Sequence, residues 1–159
     1  MNIIALFQLA IFAGYLIIVG KVRPSISETY YYLQSKNKSH YFYWFTGALG
    51  LSMILQNANP WYGGTQMIFG AAGVLLPAIS FAANYKDQKV GRLHLGITYA
   101  TIISIFYALG LHDWPSWSAF LPALAFAGIT ILIRKIPNRT YWIEVAAFVC
   151  IFARLIFKP

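Results

Sequence analysis

The chain has 159 residues, 59% of them hydrophobic and only 10% charged, yet its formal net charge is +8. A soluble domain carries about 25% charged residues, so an ordinary water-facing surface is excluded and a single integral membrane domain over residues 1–159 is expected. The cations lie in short segments between apolar runs, with no basic face or reading module, which excludes nucleic acid and points to anionic lipid headgroups.

A bilayer-crossing helix takes about 20 apolar residues. The first such run covers residues 2–20, "NIIALFQLAIFAGYLIIVG". It has no basic start, which a cleaved secretory signal would need, and reads as a retained first span.

A polar, tyrosine-rich strip follows. Ser25 and Glu28 have the S-x-x-E spacing of a capping box, in which each side chain satisfies an orphan amide. A short helix is expected from there to about Gln34, with Ile26, Tyr30 and Leu33 on one face at i, i+4 and i+7. The plain reading is an interfacial helix at headgroup depth. The sharper one makes Ser25, Ser27, Glu28 and Tyr30 a ligand-binding collar.

Spans two and three are expected over residues 41–55 and 65–83. Gly70 to Gly73, "GAAG", supplies a close-packing surface on span three. Pro77 lies in span three and Pro122 in span five, where neighbouring helices re-satisfy freed carbonyls.

Span four, residues 93–111, carries His94, Thr98, Thr101, Ala108 and His112 on one face, with Ser104 at its edge. Such a stripe lines a water or proton path, or else its hydroxyls bond carbonyls of their own helix. Span five is expected over 117–133, separated from span four by a loop at "HDWPS".

Span six, residues 140–157, holds Glu144 near its start and Arg154 about ten residues, or roughly 15 Å, beyond. Ionisable groups inside a span are functional candidates by default. Glu144 reads as a tolerated interfacial acid, paired with Arg139 or Arg92, or else as a proton or cation site. Arg154 falls among Ala146, Ala147, Cys150 and Ala153, a small-residue stripe, with Asp113 as its natural counter-ion or an anion as its ligand. Cys150 sits in "AFVCIFA" and reads as a packed, inert thiol.

Orientation follows from the cations. The first, third and fifth connections hold Lys21, Arg23, Lys36, Lys38, then Lys86, Lys89, Arg92, then Arg134, Lys135, Arg139, whereas the second and fourth hold none. The odd connections are therefore expected in the cytoplasm and both termini outside it, in a bacterial inner membrane. Aromatic belts agree, with Tyr41, Tyr43, Trp44, Tyr85, Tyr141 and Trp142 inside and Trp61, Tyr62, Trp114 and Trp117 outside.

The absences narrow the chemistry. There is no HExxH, CxxC or phosphate-binding glycine loop, and no lysine within a span. No metal-ligand spacing, metal or other cofactor is implied. The one acid–base set is His94, Glu144 and Asp87, which requires three helices to meet.

"PSISETYYYL" and "GAAGVLLPAISFAANYKDQKVGRLHLG" resemble a pattern in small multi-spanning membrane proteins of Bacteroides-type bacteria and their phages, a family with no assigned activity. The matching positions are Pro24, Ser25, Ser27, Thr29, Tyr30, Tyr31, Gly70, Asp87 and His94. The resemblance implies the same multi-spanning topology and draws attention to Ser27, Asp87 and His94.

The expected fold is therefore all-α, a polytopic transmembrane bundle of six spans with a short interfacial helix after span one. The expected function is non-enzymatic. The protein binds a lipid headgroup or a protein partner at its cytoplasmic face, through Arg92 and the tyrosines, with Glu28 ordering the collar. The alternative is a small channel or carrier, oligomeric in second copies of the chain, using Thr98, Thr101 and Arg154. A lipid-modifying enzyme at the inner interface is the third reading.

Overall fold

The computed structural model describes residues 3–56 and 66–157, with side chains except those of 66–69, 108–124, 127, 154 and 157. Within them the chain is all-helical: α1 Ile3–Val19, α2 Thr29–Ser35, α3 His40–Gln56, α4 Gln66–Phe81, α5 Gln88–Ile133 and α6 Arg139–Phe157. The chain divides into two compact units, Met1–Ser39 with Pro115–Pro159, and His40–Trp114.

Helix ends follow local chemistry. Gly20, at φ +64°, closes α1 by donating its N–H to the Leu16 carbonyl at 2.9 Å. Asn37, at φ 56°, ends α2 in a Schellman motif: Lys38 N–H reaches Leu33 O at 2.7 Å and Asn37 N–H reaches Gln34 O at 2.9 Å. Lys135, at φ 50°, follows α5. Asp87 caps the start of α5, its Oδ1 accepting the N–H of Lys89 at 3.0 Å and of Val90 at 3.1 Å.

In the first unit α1 packs on α6. Phe12 meets Phe148 and Phe152, with ring centroids 4.9 and 5.9 Å apart. Tyr30, Leu33 and Ile26 are buried, so the face expected on α2 is its packing face.

In the second unit α3 packs on α4 through glycine. A Cβ on Gly50 would overlap the Gly73 carbonyl oxygen and lie 2.6 Å from Pro77 Cδ; one on Gly73 would lie 2.8 Å from Gly50 O. Pro77 has no N–H to give the carbonyl four residues back, which is that of Gly73. The freed oxygen is the one facing Gly50, a geometry that suits Cα–H···O contact. One turn away, the hydroxyls of Thr46 and Ser80 hydrogen-bond across the same interface. "GAAG" is thus part of a helix-packing surface.

One expectation is left without support and one is corrected. Among the described residues no helix is long and apolar enough to cross a membrane; α1 and α3 have 17 residues and α4 has 16. The six-span outline therefore stands on sequence alone. Second, the backbone runs as one helix from Gln88 to Ile133 where spans four and five were expected to be separated at "HDWPS". Pro115 withdraws one N–H from the helix ladder, the one that would serve the Leu111 carbonyl, and the backbone continues past it as it does past Pro77 in α4. Of the aromatic residues expected at the inner interface, Tyr141 is packed, at 5% exposure, whereas Tyr43, Trp44 and Trp142 are exposed. Trp61 and Tyr62, and the side chains of Trp114 and Trp117, lie outside the described residues.

Candidate functional site at the basic end of the first unit

The strip after α1 is fastened to the start of α6. Tyr141 donates its backbone N–H to Pro24 O at 3.1 Å, and Ile26 donates its N–H to Glu144 Oε2 at 2.5 Å. Thr29 Oγ1 donates to the Ile26 carbonyl and is also bonded to the Tyr15 hydroxyl. These bonds tie α1, the turn before α2, and α6 into one end of the unit.

Glu144 thus has a backbone partner that the sequence does not disclose. Its carboxylate serves a backbone amide of the turn before α2. The turn before α2 presents an N–H that the helix itself cannot satisfy, and a carboxylate is the strongest acceptor for it.

Ser25 forms its half of the capping box, accepting the Glu28 N–H at 3.1 Å. Ser27 and Glu28 are half-buried. Tyr30 is 8% exposed and belongs to the packed face, its ring edge-on to Tyr31 at 5.3 Å. The tyrosine turned to the basic end is Tyr32, over whose ring the Arg23 guanidinium carbon lies 3.7 Å from the centroid. Arg23 Nε is buried without a hydrogen-bond acceptor among the described residues. Arg23 and Tyr32 were not singled out from the sequence; the available signal was an arginine held by the following proline ahead of three tyrosines.

Charge is concentrated here. The first unit holds nine of the twelve Lys and Arg residues, seven of them in the segments that flank α2 and lead into α6, and only two of the four acids, Glu28 and Glu144. Lys21, Lys36, Lys38, Arg134, Lys135 and Arg139 are all exposed.

The remaining candidates belong to the second unit. Arg92 and Asp87 are exposed, and Asp87 is the α5 cap already described. His94 is 4% exposed, and its Nδ1 lies 3.1 Å from Ala82 O, just past the end of α4. Thr101 is buried and donates to Ile97 O at 2.8 Å. Thr98 Oγ1 is buried with no partner among the described residues. His94 and Thr101 thus mark the inward face of α5, with Tyr99, Ile103 and Tyr107 exposed opposite, and the side chains of Ala108 and His112 lie outside the described residues. His94, Asp87 and Glu144 each serve backbone groups of their own unit. The side chain of Arg154 lies outside the described residues. Among the described residues no group of three His, Cys, Asp or Glu could hold a metal.

No protein-family model, curated protein or solved structure matches the chain.

Proposed function

We propose that the chain is an integral helical membrane protein, non-enzymatic, whose basic end faces the cytoplasm and holds lipid headgroups. The observation that carries this reading is an inverted distribution of polarity. Ile17 on α1, Trp44 on α3, Phe81 on α4, and Ile103 and Phe126 on α5 are each more than half exposed, Phe81 at 92%. Gln8, Thr46, Ser52, Gln56, Ser80 and Thr101 are buried.

In water each exposed apolar side chain forfeits roughly 25 cal/mol per Å², and contiguous apolar patches beyond a few hundred Å² are unusual. In a bilayer the same faces meet lipid, polar groups turn inward, and small residues mediate helix contact, as Gly50 and Gly73 do. A helix of 17 residues is about 25 Å long against about 30 Å of hydrocarbon. Bilayer thinning and aromatic anchors, here Tyr43, Trp44 and Trp142, accommodate that difference.

The test is alkaline carbonate extraction of membranes from expressing cells, followed by flotation of the purified chain with lipid vesicles. Retention in the membrane pellet and flotation with the vesicles support the reading. Release into the supernatant overturns it. Lipid retained on purification is expected to be enriched in anionic headgroups, and enrichment that vanishes in high salt identifies the basic end as its origin.

A further inference from the structure

Resting on the membrane reading above, we propose that Arg23 is a phosphate-binding arginine, with Tyr32 as its platform. The phosphate it takes is carried by a lipid headgroup or by a soluble phosphate ester.

The guanidinium carbon of Arg23 stands 3.7 Å from the centroid of the Tyr32 ring. Stacking of this kind engages the flat face of the guanidinium and fixes its plane. The N–H donors lie in that plane and remain available. Nε is buried and has no acceptor among the described residues, which is a costly state for a charged donor. With Nε shielded, the two terminal Nη groups form the outer edge of the guanidinium, which receives two oxygens of one phosphate in parallel.

The surroundings favour an external anion over an internal one. Glu144 is committed to the Ile26 amide at 2.5 Å. Tyr141 N–H is committed to Pro24 O at 3.1 Å, so the segment carrying Arg23 is pinned in place. The same bond brings the start of α6, with exposed Arg139, beside the segment that begins with exposed Lys21. A carboxylate also fits an arginine fork, but three cations in one neighbourhood favour the more highly charged phosphate group.

The experiment uses the full chain in phosphatidylcholine nanodiscs doped with phosphatidic acid, with retained lipid weighed by native mass spectrometry. In parallel, detergent-solubilised protein is titrated with inorganic phosphate. The wild-type chain is expected to retain phosphatidic acid in preference to phosphatidylcholine. Arg23→Gln lowers that retention about tenfold, the loss of one bidentate charged pair. Arg23→Lys keeps the charge and the fold without the fork, and loses nearly as much. Lys38→Gln removes the same charge from the same segment and lowers retention less than about twofold.

Retention of phosphatidic acid without binding of inorganic phosphate assigns the group to a lipid. Arg23-dependent binding of inorganic phosphate assigns it to a soluble ester. Equal losses in Arg23→Gln and Lys38→Gln, full retention in Arg23→Lys, or binding of neither ligand overturns the proposal. A chain that does not enter nanodiscs overturns the membrane reading instead, and the phosphate titration then decides the role of Arg23.

Discussion

The Glu144 carboxylate accepts the backbone N–H of Ile26 at 2.5 Å, across 118 positions of sequence. It is the bond that joins the turn before α2 to α6, together with Tyr141 N–H to Pro24 O. Removing the acceptor leaves a part-buried amide unpaired. Glu144→Ala is expected to cost about 1–3 kcal/mol, whereas Glu144→Gln keeps a carbonyl acceptor and costs less than about 1 kcal/mol. Thermal unfolding in detergent reads the difference. Hydrogen exchange locates it: protection of the Ile26 amide is lost in the alanine variant and kept in the glutamine variant. Equal unfolding temperatures for all three chains would rule out the bond as a fastening.

His94 does the corresponding work in the second unit. Its Nδ1 is 3.1 Å from the carbonyl of Ala82, the residue that follows α4, and its ring lies 5.1 Å from that of Tyr85. His94→Ala is expected to destabilise the unit by about 1–3 kcal/mol, from the unpaired carbonyl and the vacated space. His94→Asn, which restores a donor without the ring, recovers part of that. A variant as stable as the parent would remove His94 from the end of α4.

Which of these features the sequence discloses depends on whether their cause is local. Gly20 marks the end of α1, Ser25 and Glu28 mark the turn before α2, and Ile26, Tyr30 and Leu33 mark its buried face. Each follows from spacing or from one residue's conformational preference. The continuity of α5 through "HDWPS" does not, because the polar residues and Pro115 there read as a loop, and whether a proline ends a helix or is carried within it depends on packing rather than on the local residues. Glu144 is legible as an unusual acid, but its partner is a backbone amide, which has no sequence signature. Tyr32 is indistinguishable from its neighbours Tyr30 and Tyr31 until the helix face is known, and only then is Arg23 seen to stack on it.

The glycine crossing of α3 and α4 gives a sharp contrast. Gly50→Ala places a methyl group against the Gly73 carbonyl and Pro77, neither of which is a flexible chain end. Gly47→Ala, one turn earlier, meets nothing within 4 Å. The first is expected to lower stability by about 1–3 kcal/mol through overpacking. The second raises it by a few tenths of a kcal/mol to about 1 kcal/mol through helix propensity. Unfolding of the two variants side by side tests this; similar behaviour would mean that the helices do not cross at Gly50.

Gln8 is fully buried on α1, and neither its Nε2 nor its Oε1 has a hydrogen-bond partner among the described residues. It sits one turn from Phe12, on the side of α1 that packs on α6, where Phe152 and Leu155 are also fully buried. An amide held among such groups without a partner costs about 1–3 kcal/mol relative to an apolar side chain of the same size. Gln8→Met, nearly equal in volume and unbranched, is therefore expected to raise the unfolding temperature of the detergent-solubilised protein. Gln8→Ala removes the same polar atoms but opens a void beside Phe12, so it gains less or loses. A Gln8→Met chain that unfolds earlier than the parent would mean that the amide is paired in the folded protein, and that this pairing stabilises the contact of α1 with α6.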